Sequence, residues 1–135
     1  MRVALSIAFI VCTLAPASAQ DTQSFDRVER GRYLAVLSDC TACHTAPGGQ
    51  PFAGGLALQT PFGTIVTPNI TPDVDTGIGR WSDEDFGSAM HEGRGRGGKR
   101  LYPAMPYPAY TKMTRDDVLA IRAYLATVTD RKSVV

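Results

Sequence analysis

One pentapeptide, Cys40-Thr41-Ala42-Cys43-His44, constrains this chain more than any other stretch. Two thiols three positions apart can each add to a vinyl group of a porphyrin, and the imidazole that follows at once can reach the metal. The pattern is that of covalent c-type haem attachment. A fold that obeys it must close around a flat, apolar group. A redox dithiol is the first rival, but it leaves the residue after the second Cys unconstrained and sits in a βαβ frame that the flanking sequence does not offer. A structural zinc site is the second; it needs four N or S ligands, and outside the motif only His91 remains in the mature chain.

The start of the chain agrees with that chemistry. Met1 to Ala19 reads as a secretory leader: Arg2 supplies the positive start, Val3 to Leu14 the apolar core, and Ala17-Ser18-Ala19 the small-residue cleavage site. The mature protein is expected to be periplasmic, to begin near Gln20 and to form one domain over residues 20–135. The leader's apolar run is shorter than the ~20 residues a membrane span takes, and no later stretch approaches it, so no transmembrane anchor is expected after cleavage. Cys12 is removed with the leader, which leaves Cys40 and Cys43 as the only thiols. Of 14 basic and 13 acidic residues only Arg2 lies in the leader, so the mature chain carries no net formal charge. Long-range attraction to nucleic acid is not expected. With aromatics at 8% the core is thin, and a buried porphyrin would supply much of the missing apolar volume.

The expected architecture is all-α, three to four helices around one haem with a short β-hairpin and long loops. A first helix is predicted from Asp26, with Val28, Tyr33, Leu34, Leu37 and Cys40 on one side and Arg27, Glu29, Arg30 and Arg32 on the other. Gly31 costs a helix interior about 1 kcal/mol relative to Ala; close approach of another helix is a reason to keep it. After His44, Pro47, Gly48, Gly49 and Pro51 break the helix. The Pro47 carbonyl is the expected acceptor for the second ring nitrogen of His44, since metal-bound histidines usually donate to a carbonyl. Residues 55–59 and 63–67 are predicted to pair around Thr60-Pro61-Phe62-Gly63.

Residues 68–80 are rich in turn formers. Asp73, Asp75 and Gly77 resemble the start of a calcium loop, but the closing Glu is missing, and Asx turns are the better reading. Ser82-Asp83-Glu84-Asp85 predicts a helix start, with Phe86, Ala89 and Met90 inward and an end near Gly93. Trp81 precedes it with an indole N–H that a haem propionate could accept from. Residues 93–100 read as a flexible basic loop whose four cations could dock an acidic redox partner. In Leu101-Tyr102-Pro103-Ala104-Met105-Pro106-Tyr107 the prolines hold Met105 in an extended segment, as a sixth ligand would need. Met90 and Met113 compete less well, one on a core face and one beside a helix cap, and His91 neighbours charged Glu92. A last helix opens at Thr114, capped with help from Asp117, and its Tyr124 and Leu125 are expected to cross the first helix near Gly31.

Taken together, Cys43-His44-Thr45-Ala46-Pro47-Gly48-Gly49, Phe52-Ala53-Gly54-Gly55, Asn69-Ile70-Thr71-Pro72-Asp73, Gly77-Ile78-Gly79-Arg80-Trp81-Ser82-Asp83 and Leu101 to Tyr107 resemble class I c-type cytochromes. The closest resemblance is to the haem domains of cytochrome c subunits of bacterial membrane-bound alcohol and gluconate dehydrogenases. It implies one haem c linked through Cys40 and Cys43, His44 and Met105 as axial ligands, and Trp81, Tyr102 and Pro47 among the cofactor contacts. It also implies one-electron relay from a dehydrogenase towards a terminal oxidase or quinone-linked acceptor, with no catalytic residue of its own. Those subunits commonly carry three such domains and a membrane tail, where one domain is read here. The alternatives are a five-coordinate haem enzyme or gas sensor using His91 with Arg94 or Arg96, and a fixed haem subunit of a larger complex.

Overall fold

A computed structural model describes residues 19–130. Apart from Ala19, the leader lies outside this span, as does most of the C-terminal tail. Helix α1 runs Ala19–Leu37. It starts ahead of the predicted Asp26, because nothing before Gly31 breaks the backbone and propagation costs little once a helix has nucleated. Its buried face is Gly31, Leu34 and Ala35, whereas Tyr33 and Leu37, expected inside, are 58% and 68% exposed. The reason is the neighbour. Helix α5, Arg115–Leu125, crosses so close that a Cβ on Gly31 would stand 1.8 Å from the Ala120 carbonyl oxygen and 2.9 Å from Tyr124 Cβ. The crossing expected near Gly31 is there, and it turns the i+3 and i+4 residues inward. Val118, Ala120, Ile121 and Leu125 cover them from α5.

Between these helices lie α2 (Cys40–Cys43), the hairpin β1 (Ala57–Thr60) and β2 (Gly63–Val66), α3 (Asp83–Glu92) and α4 (Tyr107–Tyr110). Among the described residues, α2 and α4 are single turns. The strands pair antiparallel from Ala57 with Val66 to Thr60 with Gly63, shorter than predicted and closed by Pro61-Phe62. In α3, Ser82 forms a full capping box with Asp85, and Gly93 ends the helix at φ 64°. In α5, Thr114 accepts from the Asp117 amide, but the Asp117 carboxylate reaches Arg30 on α1 at 2.9 Å instead of closing a box. Phe52, Ile78, Phe86 and Met90 complete the core from the loops and α3.

Loop 67–81 is built from buried polar side chains. Asp73 Oδ1 accepts from the amides of Asp75 (3.0 Å) and Thr76 (2.6 Å), and Asn69 Oδ1 from the amide of Thr71 (2.8 Å), so the Asx turns are observed. Basic residues 93–100 also depart from expectation. Gly95 donates to the Lys99 carbonyl and Gly98 to that of Gly95, while Leu101 donates to Gly93, so the loop is a closed turn with its cations outside. No helix of the described residues is long and apolar enough to cross a membrane.

Candidate haem site

Two residues past the end of α1 stands Asp39, whose φ of 55° is left-handed, a conformation that Asp tolerates better than most residues. That reversal starts the single turn α2, and the His44 amide closes it on the Cys40 carbonyl at 3.0 Å. Cys40 and Cys43 therefore stand three residues apart on one turn, on one side. Both are free thiols. Burial pushes the Cys40 thiol up to about 11, so at neutral pH it is protonated and not the nucleophilic thiolate.

His44 Nδ1 lies 2.8 Å from the carbonyl oxygen of Pro68. A carbonyl can only accept, so Nδ1 carries the proton and the lone pair of Nε2 is left for a metal. Burial lowers the pKa of the ring and the bond to Pro68 opposes this, with burial the larger effect. A neutral imidazole is the form that binds iron. The acceptor is Pro68 and not Pro47. Pro47 lies in an exposed turn in which Gly49 donates to the Ala46 carbonyl, whereas the Pro68 carbonyl is brought to the ring by the segment whose Thr67 carbonyl accepts from Gly55.

What brings Pro68 to His44 is three chain segments side by side. Gly54 donates to the His44 carbonyl (2.8 Å), Ala46 to that of Gly54 (3.1 Å) and Gly55 to that of Thr67 (2.9 Å). Gly54 has a φ of 73°, and a Cβ on it would stand 2.5 Å from Pro68 C and Thr67 O. Only glycine fits. Next to it, Phe52 is held at φ 63°, its amide bonded to Thr45 Oγ1 and its ring edge-on to Tyr124 at 6.0 Å.

Met105 is half-buried and packs against the core together with Cys40, Ile70, Trp81 and Tyr110. Its amide donates to the Tyr102 carbonyl and its carbonyl accepts from Tyr107, which bends the strap between its prolines. Met90 is 5% exposed within the core. His91 Nε2 is 3.1 Å from the Met113 carbonyl, so that ring ties α3 to the segment before α5. Trp81 is half-buried, its carbonyl bonded to Arg122 Nη2 at 2.5 Å, and its ring packs at the base of the basic loop beside Gly95. Tyr102 is 45% exposed. Sequence reasoning missed Tyr110, whose hydroxyl donates to the Ser38 carbonyl at 3.1 Å and whose pKa is raised, first by burial and then by the nearby thiols.

The donor set fits a haem. Two thiols share one turn, a neutral imidazole has its Nδ1 satisfied, and Cys40 packs against the apolar core, as does Met105. Comparison with known proteins agrees. The family model described as cytochrome c, whose members carry covalently bound haem c, matches residues 28–129. The gluconate 2-dehydrogenase cytochrome c subunit of Pantoea cypripedii is 50% identical over 119 residues, 87% of this chain and 27% of its own length. The cytochrome c subunit of the quinone alcohol dehydrogenase of Gluconobacter oxydans is 45% identical over 123 residues, 91% of this chain and 26% of its own. A diheme c-type cytochrome of Cereibacter sphaeroides is 38% identical over 104 residues, 73% of this chain and 35% of its own. The chain spans about a quarter of the length of the first two. With the attachment turn, the neutral imidazole and these matches on one set of residues, the chain belongs to the cytochrome c family.

Proposed function

We propose that this protein is a periplasmic one-electron carrier that receives electrons from a dehydrogenase and passes them towards the respiratory chain. Cys40 and Cys43 are its covalent haem links, and His44 and Met105 its axial ligands. The observation that carries the reading is the His44–Pro68 bond, which orients the ring and leaves Nε2 for iron, set against a half-buried thioether on a proline-bounded strap. The bound haem supplies a ferric/ferrous couple. Held by both His44 and Met105, the iron would offer substrate no open site, and electron transfer would require neither side chain to move. Met105 is a soft donor that raises the potential, and Pro103 and Pro106 limit its freedom to leave. Trp81 and Tyr102 are the polar-tipped side chains proposed to contact the haem, by an indole N–H and a phenol. The names of the relatives support a dehydrogenase as the partner. The exposed cations of residues 94–100 suit a small, transient contact with an acidic surface.

A five-coordinate enzyme or sensor would need His91 as a free polar group, and its bond to Met113 argues against that use. The test is the optical spectrum of the haem-loaded protein. A sulfur-to-iron charge-transfer band in the ferric state and a ferrous spectrum indifferent to carbon monoxide are expected. Met105→Ala should abolish the band, lower the potential and open the iron to carbon monoxide; an unchanged spectrum and potential would remove Met105 from the ligand set.

A further inference from the structure

The segment that carries Met105, residues 101–113, is tied to the rest of the molecule at several points. Most of these ties lead to α3 and its end. Leu101 donates to the Gly93 carbonyl at 2.8 Å, the Tyr107 ring lies where a Cβ on Gly93 would meet it at 2.6 Å, and the Met113 carbonyl meets His91 Nε2. One tie is different. The Tyr110 hydroxyl donates to the Ser38 carbonyl at 3.1 Å, across 72 positions of chain. Ser38 stands two residues before Cys40, at the end of α1, where carbonyls have no intrahelical partner. Among the described residues this is the hydrogen bond that joins the strap to the attachment segment, residues 38–44. Tyr110 is half-buried and packed on the core, so its ring cannot swing away freely.

The geometry of a two-ligand site makes that bond consequential. On the ligand reading above, iron is fixed to α2 by two thioethers and His44, and the sulfur is fixed to the strap. The sulfur-to-iron distance is then set by how the strap stands relative to α2. We propose that Tyr110 is a positioning residue: its hydroxyl couples the Met105 strap to the attachment turn and so holds the thioether on the iron. The phenol touches no reacting atom. It acts through the backbone of Ser38 on one side and through α4 on the other. The strap carries the softer of the two ligands, on a segment with little regular structure, so a single bond shifts how often the sulfur is off the metal. The inference rests on Met105 being a ligand, and its test separates the two.

The experiment is a titration of the ferric, haem-loaded protein with imidazole, following loss of the sulfur-to-iron band, beside thermal unfolding of the same samples. Tyr110→Phe removes one oxygen and keeps the ring in the core. The apparent affinity for imidazole should rise about three- to tenfold, the effect of losing one hydrogen bond from the ligated state, with the band still present before imidazole is added. Tyr107→Phe is the control, since its hydroxyl makes no hydrogen bond among the described residues, and it should titrate as the parent. Wild-type imidazole affinity in Tyr110→Phe, whether or not its Tm falls, would make the bond a structural tie and overturn the proposal. Absence of the band from the parent protein would overturn Met105 ligation, and the positioning role with it.

Discussion

Gly54 shows how much of this site turns on one missing Cβ. Its positive φ and its contact with Thr67 and Pro68 let three segments lie side by side, and that stack delivers the Pro68 carbonyl to His44. Gly54→Ala adds a methyl group where backbone stands at 2.5 Å, in a conformation that L side chains rarely adopt. It should cost about 2 kcal/mol or more of stability. It should also raise the reduction potential, because displacing Pro68 weakens the hydrogen bond that makes His44 a more basic ligand. Thermal unfolding and a redox titration check both. Phe52 is the opposite case. Its strained backbone is held by a core ring and two hydrogen bonds, so tertiary packing overrides local preference.

Helices α1 and α5 make the frame, and glycine has opposite consequences in two of the helices. Gly31 meets Ala120 at the crossing, and Gly31→Ala should cost about 1–3 kcal/mol by overpacking. In α3 a Cβ on Gly87 would find only Arg115 Nη1, at 3.8 Å. Gly87→Ala should therefore gain about 0.5–1 kcal/mol from helix propensity alone. Paired denaturation curves give the two signs. Across the same α1–α5 seam the Arg30 side chain, bonded to Asp117, holds that carboxyl below its ordinary 3.8. A carboxyl depressed by folding contributes stability that is complete above its unfolded pKa and is lost as pH falls through the folded one. Asp117→Asn should thus unfold at a lower temperature than the parent near neutral pH, with the difference vanishing in strong acid.

At the scale of the whole molecule the surface is close to neutral in sum but uneven in place. Arg94, Arg96, Lys99 and Arg100 sit on one closed turn, and Arg96, Lys99 and Arg100 form no ion pair among the described residues. A nearly neutral protein shows little overall salt dependence, so any that appears reports the local field. Electron transfer to an anionic oxidant such as ferricyanide should slow as salt is added. Replacing Arg96, Lys99 and Arg100 by Gln should flatten that dependence while leaving the rate with a neutral oxidant unchanged. Stopped-flow rates across ionic strength decide it.

Reading the residues alone was enough where the information is local. The attachment turn, the Ser82 cap, the hairpin and the Asx turns each depend on neighbours within a few positions, and periodicity or turn chemistry exposes them; Gly31 gave away a close crossing because a helix interior rarely keeps a glycine without one. The acceptor for His44 was sought at Pro47 because sequence offers only nearby carbonyls; Pro68, 24 positions on, comes into reach when the hairpin doubles the chain back over Gly54. Tyr110 was invisible for the same reason, its partner lying 72 positions away. The inward face of α1 likewise followed from where α5 crosses and not from the pattern of α1 itself. Composition and spacing determine which groups can ligate and which segments can turn. Tertiary structure alone decides which distant carbonyl, hydroxyl or helix meets them, because those pairings arise from long-range packing that no local spacing encodes.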